Sequence, residues 1–280
     1  MLPPEPILRR KRKRPQVNLR RTLFVLPNLI TLASIFCGFN AIRVVALDNP
    51  SSDDFYRAAI LLMFAMLFDM LDGRVARMTR TQSAFGLQLD SLADIVSFGV
   101  APSLLMYKWG LYRFPVPGLF VGFLFTACGA IRLARFNVLA SSSSGAPVKP
   151  GKYTVGLPIP PASGVLISLL VANHAMAGEL SHERYTIAIF GTTIVLSLLM
   201  VSSFRFRSFK DLRFNGGTAL LVMFAIGSSA FVWQYGKPQF VLAWLLCFYV
   251  LIGLVETMRG VLERLRRRPD DESDTSLEQG

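Results

Sequence analysis

A chain of 280 residues with 52% apolar content, 17% charged residues and a mean hydropathy of +0.45 has too little polar surface to make one or two soluble domains. The formal charge of +12 would suggest nucleic acid for a soluble protein, but here the basic residues collect beside apolar windows, so membrane topology explains them and no nucleic-acid partner is expected. Cys37, Cys128 and Cys247 are odd in number and each sits in an apolar window, which argues against a disulfide framework and for core packing.

Residues 1–21 form a basic arm whose run from Arg9 to Arg14 sets topology and can also rest on anionic membrane lipid. Crossing the hydrocarbon takes about 20 mostly apolar residues per helix, and about eight such windows follow. They are 22–47, 55–79, 85–107, 115–139, 156–177, 185–203, 216–235 and 238–260. All are expected to be helical, because backbone exposed to lipid must satisfy its own hydrogen bonds. The expected fold class is therefore all-α: a polytopic membrane helix bundle over residues 22–262, followed by a charged, disordered tail at 263–280.

Most of the basic residues flank every second window gap: the arm, then Arg74, Arg77 and Arg80, then Arg132, Arg135, Lys149 and Lys152, and so on to Arg268. Arg43, Arg57, Lys108, Arg113, Arg184 and Lys237 are the exceptions. By the positive-inside rule both termini face the cytoplasm. The expected location is an inner cell membrane, with the chemistry at its cytoplasmic face.

Windows two and three carry carboxylates where a bilayer disfavours them, which marks function. On the second helix Asp69, Asp72, Gly73 and Ala76 share one face, with Arg77 at its edge; on the third, Gly86, Asp90, Ala93 and Asp94 make the matching stripe. Four carboxylates converging from an antiparallel pair suit hard divalent cations, Mg²⁺ or Mn²⁺, which commonly complete their shells with water and phosphate. Other uses of such aspartates are a polar packing cluster or the proton or cation relay of a transporter, though a relay has no need of Gly73, Arg77 and Gly86.

The pattern Asp69-x2-Asp72-Gly73-x2-Ala76-Arg77-x8-Gly86-x3-Asp90-x3-Asp94 resembles the full motif of the CDP-alcohol phosphatidyltransferases. Further blocks, LPNLITLASIFCGFNAI (26–42), SFGVAPSLLMY (97–107), IRLARFNV (131–138), GLPIPP (156–161) and MVSSFRFRSFK (200–210), resemble the branch of that family that accepts serine. The resemblance implies a membrane enzyme that takes CDP-diacylglycerol and L-serine as substrates and releases phosphatidylserine and CMP. It implies two divalent ions on Asp69, Asp72, Asp90 and Asp94, Asp94 as the catalytic base, and Gly73, Arg77 and Gly86 at the CDP-diacylglycerol site. It also implies a homodimer.

Asn28 and Thr31 correspond to a nucleotide-approaching element in related enzymes, the plainer alternative being an interhelical hydrogen bond. Serine's carboxylate calls for a cation, and Arg132, Arg135 and Asn137 end the fourth window on the aspartate side; the arginines alternatively anchor that end. A sister acceptor, glycerol 3-phosphate or inositol phosphate, is the nearest alternative reading, and a cation-coupled transporter is the alternative from another class.

The remaining features read as structural. His174 and His182 lie across the membrane from the aspartates. Trp109, Trp233 and Trp244 suit interfacial or apolar helix positions. Pro158, Pro160 and Pro161 break or kink the entry to window five, and 141–151 reads as a linker able to gate the site. The last two windows add nothing specific.

Overall fold

The structure, a computed structural model, describes residues 19–141, 153–176 and 183–207, with short pieces between 227 and 258. The arm before residue 19, the linker after Ser141, His182, most of window seven, parts of window eight, and the tail lie outside the described residues. In chain order the elements are α1 (Leu19–Val45), α2 (Ser52–Thr79), α3 (Ala84–Asp94), a π-helical segment (Ile95–Val100), α4 (Ala101–Trp109), a 3-10 turn (Leu111–Arg113), α5 (Pro115–Ser141), β1 (Tyr153–Val155), α6 (Ile159–Ala175), α7 (Glu183–Val201) and β2 (Arg205–Arg207).

Local chemistry accounts for the helix limits. Ser51 caps α2 by accepting from Asp54 N at 3.2 Å, while the Asp54 carboxylate accepts from Ser51 N at 3.0 Å, so two otherwise orphaned donors are satisfied reciprocally. Arg80, at φ 53°, closes the other end of α2 in the left-handed region. Ser83 Oγ accepts from Gly86 N at 2.9 Å to start α3. Pro160 and Pro161 fall in the first turn of α6, where a missing N–H costs no intrahelical bond, so they begin that helix without kinking it.

Val25–Val45, Ala84–Trp109 and Pro115–Val138 are long and apolar enough to cross a bilayer; Ile159–Ala175, Thr186–Val201 and Trp244–Gly253 are shorter apolar helices. Large side chains such as Phe36, Phe39, Phe120 and Phe123 point outward, as lipid-facing surface requires, while Phe98, Leu105, Phe125, Leu166 and Leu170 fill the interior. The chain is a helical integral membrane protein.

Some expectations need correction. The helical fold class stands, with one addition: a two-stranded antiparallel ribbon, Tyr153 opposite Arg207 and Val155 opposite Arg205, between the entry to α6 and the exit of α7. It forms because the segments entering α6 and leaving α7 lie side by side and pair their free backbone groups. Gly156 N donates to Phe204 O at 2.7 Å beyond the ribbon, and at φ +79° a Cβ there would collide with the Met200 carbonyl, so only glycine fits. Trp109 is 6% exposed and belongs to the core, not to an interfacial belt. Cys37 and Cys128 are buried and free, but Cys247 is free and exposed. The piece 244–253 is not inert, since Leu246, Tyr249 and Val250 pack against the core.

Polar contacts knit the centre. Ser34 Oγ donates to Ala65 O at 3.1 Å, and Ser97 Oγ donates to Ser34 O at 3.0 Å, tying α1 to both α2 and the π-helical segment. Gly38 permits that approach, because a Cβ there would stand 2.7 Å from Ser97 Oγ and 2.8 Å from its Cα. Ser163 Oγ donates to Phe98 O in a short bond, drawing α6 onto the same segment.

Candidate active site

α2 and α3 run antiparallel through the tight link at 80–83, which brings the end of one beside the start of the other. Asp69, Asp72 and Asp90 each offer a carboxylate oxygen, and these oxygens all lie within 4.8 Å of one another. Asp94, buried to 8% exposure, is placed against Asp69, Asp90 and Arg132. Its Oδ1 has no hydrogen-bond partner among the described residues. Carboxylates this close repel unless a cation or proton stands between them. A purely oxygen donor set with one buried member, Asp72, fits a hard divalent cation.

Neighbouring residues orient the cluster. Thr31 Oγ1, itself buried, donates to Asp72 Oδ2 at 2.6 Å and also lies 3.1 Å from the Pro27 carbonyl. That places Thr31 behind a cluster carboxylate. Asn28 lies beside Gly86: a Cβ on Gly86 would lie 3.6 Å from Asn28 Oδ1 and 3.2 Å from Ser83 Oγ. Arg77 is exposed and folds back over Gly73, where a Cβ would meet its Nη1 at 3.6 Å. Gly73 follows Asp72 directly in α2, and Gly86 lies one turn before Asp90 in α3.

The fourth-window candidates separate. Arg132 is half-buried, lies within electrostatic reach of Asp94 and Tyr249, and has an unpartnered Nε. Arg135, three residues on, is exposed, so the two do not face inward together. Asn137 is committed to α3: its Nδ2 donates to Ser91 Oγ at 2.9 Å and to Gln88 Oε1 at 3.4 Å. Tyr249, on the piece 244–253, is a neighbour of Arg132 that sequence reasoning missed. A lone tyrosine in an apolar window gives no spacing signal. Lys149 and Lys152 lie outside the described residues.

Helices that converge four aspartates at one end of a membrane bundle, flanked by glycines and an arginine, define a class. Residues 24–203 match the CDP-alcohol phosphatidyltransferase family model, and the chain belongs to that family. It is 38% identical over 234 residues to the CDP-diacylglycerol–serine O-phosphatidyltransferase of Helicobacter pylori strain J99, covering 83% of this chain and 91% of that one. It is 34% identical over 185 residues to the enzyme of the same name in Bacillus subtilis strain 168, covering 66% and 91%. The archaetidylserine synthase of Methanothermobacter thermautotrophicus is 35% identical over 187 residues, covering 66% and 70%.

Proposed function

We propose that this chain transfers the phosphatidyl group of CDP-diacylglycerol to the hydroxyl of L-serine, giving phosphatidylserine and CMP. The observation that carries the reading is the pair of orphaned buried atoms at one site, Asp94 Oδ1 and Arg132 Nε, next to three convergent carboxylates. A serine whose hydroxyl meets Asp94 has its carboxylate only a few atoms away, within the range of Arg132. The names of the relatives described above, two CDP-diacylglycerol–serine O-phosphatidyltransferases and an archaetidylserine synthase, support the same acceptor.

In this reading Asp69, Asp72 and Asp90, with Asp94 as a further ligand, hold two divalent ions, Mg²⁺ or Mn²⁺. The ions would neutralise the pyrophosphate of the donor and polarise the reacting phosphoryl group. Thr31 fixes the Asp72 carboxylate in the direction it must point. Arg77 forks donors onto a phosphate oxygen, and Asn28, Gly73 and Gly86 leave backbone-lined space for the nucleotide. Asp94 Oδ1 accepts the serine hydroxyl proton as the oxygen attacks the lipid-side phosphorus; the phosphorus–oxygen bond to CMP breaks, and CMP leaves with the electron pair. Burial makes the Arg132 guanidinium the fit for the serine carboxylate, through a bidentate fork that lysine lacks.

The wider arrangement we infer is a bundle of about eight spans with both termini and the aspartates on the cytoplasmic side of an inner membrane, assembled as a homodimer. Its deciding test is CMP release from CDP-diacylglycerol with serine, glycerol 3-phosphate or inositol 1-phosphate offered separately. Release only with serine is expected. Release only with a phosphorylated acceptor would move the chain to a sister activity, and no release with any acceptor would sink the transferase reading.

A further inference from the structure

The end of the bundle opposite the aspartates holds a cavity of about 740 Å³. It is built where the α1–α2 turn, the start of α2, the end of α4, the following 3-10 turn and the end of α6 meet. Phe55 on its wall and Asp69 in the metal-binding cluster are separated by about 21 Å along α2, at about 1.5 Å per residue. The cavity is therefore remote from the transferase chemistry.

Some of its polar groups are left without partners among the described residues. Asn173, 5% exposed, lines the cavity, and its Oδ1 has no hydrogen-bond partner among the described residues. A buried carbonyl oxygen left without a donor is costly, so a donor is called for. Lys108 and Asp48 also line the cavity, and neither makes a side-chain hydrogen bond or ion pair among the described residues. Arg113 adds a second cation to the wall.

The sequence makes those two cations anomalous. Lys108 and Arg113 are among the few basic residues that break the crowding of Lys and Arg on the aspartate side. Two others, Arg43 and Arg57, are accounted for locally: Arg43 Nε donates to Asn40 at 2.9 Å, and Arg57 lies 3.7 Å from Asp54. Lys108 has no such account. An apolar helix end that keeps a lysine and an arginine against the topological bias, facing one cavity with a carboxylate and an orphan acceptor, is arranged for a ligand bearing charge of both signs. The ligand needs anionic oxygens for Lys108 and Arg113, and an N–H-bearing cation for Asp48 and Asn173 Oδ1. Its position at the helix ends, where apolar spans give way to Asp48, Lys108 and Arg113, is the depth of lipid headgroups.

We propose that this cavity binds the zwitterionic headgroup of an amine-bearing phospholipid, with phosphate on Lys108 and Arg113 and ammonium on Asp48 and Asn173, on the membrane face opposite the aspartates. A soluble phosphoethanolamine has the same charges but no acyl chains, so it separates headgroup chemistry from lipid.

The test uses the full chain, purified in detergent and delipidated, with adducts counted by native mass spectrometry. Dimyristoyl-phosphatidylethanolamine, dimyristoyl-phosphatidylglycerol and phosphoethanolamine are titrated separately against the parent, Lys108→Met and Asp48→Asn. The tightest phosphatidylethanolamine adduct should weaken by at least about tenfold in Lys108→Met, the loss of one charge-assisted contact. Asp48→Asn should weaken phosphatidylethanolamine while leaving phosphatidylglycerol unchanged, and phosphoethanolamine should bind the parent far more weakly than the lipid. CMP release should stay at the parent rate in both variants, which shows that they are folded and separates this site from the active site. Unchanged phosphatidylethanolamine binding in both variants overturns the proposal. Equal losses of both lipids in Asp48→Asn overturn the ammonium assignment, and phosphoethanolamine binding as tightly as the lipid overturns the lipid assignment.

Discussion

The two ends of α2 show one side chain put to opposite uses. At the start, Asp54 is spent locally: its carboxylate accepts from Ser51 N and Ser51 Oγ, at 3.0 and 2.7 Å, and it lies 3.7 Å from Arg57. Every one of those partners is within three residues, and the result is a well-started helix. Near the other end, Asp72 is buried and takes a side-chain bond from Thr31, a residue on another helix, while it also faces Asp69 and Asp90. A carboxylate satisfied by its own turn is structural; one held from behind by a distant hydroxyl and crowded by its own kind from in front is set up to bind something else.

If that contrast is sound, the largest loss comes from the crowded end. Asp69→Asn, Asp72→Asn or Asp90→Asn keeps the volume and removes the charge, so CMP release should collapse, with partial recovery only at high metal. Chelator should do the same to the parent. Full turnover in chelator-treated membranes checked for trace metal would end the metal reading.

Asp94→Asn should act on a different quantity. The transfer of a proton to Oδ1 matters in the transition state and not in donor binding, so turnover should fall by about 100- to 10,000-fold with CDP-diacylglycerol affinity nearly kept. Parallel losses in both would make Asp94 one more ligand.

Arg132 and Arg135 divide next. The half-buried Arg132 is the cation beside Asp94, so Arg132→Lys should raise the serine KM by at least about tenfold, about 1.4 kcal/mol. Arg135→Lys, at an exposed position, should leave it within about twofold, as surface substitutions usually do. Steady-state kinetics in serine checks both, and a larger effect at Arg135 would reverse the assignment.

The smallest effect belongs to the locally satisfied end. Ser51→Ala should leave CMP release unchanged and lower the thermal midpoint by about a few degrees, since it removes one cap. Hydrogen bonds from Ser51, side chain first and then backbone, hold the Asp54 carboxyl below the usual carboxylate range. A depressed carboxylate stabilises the fold above its unfolded pKa and loses that contribution as pH falls through its folded value. The midpoint difference between parent and Ser51→Ala should therefore be full at neutral pH and shrink on acidification below the ordinary carboxylate range; a constant difference would break the link.

Local periodicity made the helices legible. The described helices α1, α2 and α5 to α7 start and end within a few residues of their apolar windows, because length and hydropathy are local properties. The four aspartates were legible too, since fixed spacing on two adjacent helices is enough to bring them together. What escaped the sequence depends on pairs far apart along it. The ribbon joins Tyr153 to Arg207 with no alternating pattern to announce it. Arg132, half-buried where Arg135 is exposed, has electrostatic neighbours in Asp94 and Tyr249, which lie on two other segments. Asn137, a candidate for holding serine at a helix end, is bonded across to Ser91. The cavity at the far end is assembled from three separated stretches, none with a motif of its own.

The π-helical segment at 95–100 carries one consequence beyond packing. Wider turns of this kind take up extra chain inside a helix that otherwise continues straight. In an unbroken α-helix each residue advances the side-chain direction by about 100°, so deleting one residue between Asp94 and Ala101 would turn the later half by that angle relative to the earlier half. Ser103 would then swing away from Thr126, to which it now lies at 2.8 Å, or Asp90 and Asp94 would swing away from Asp69. The segment acts as a phase shifter between two halves of one span: it lets the aspartate half keep the angle chemistry needs while the other half keeps the angle the core needs.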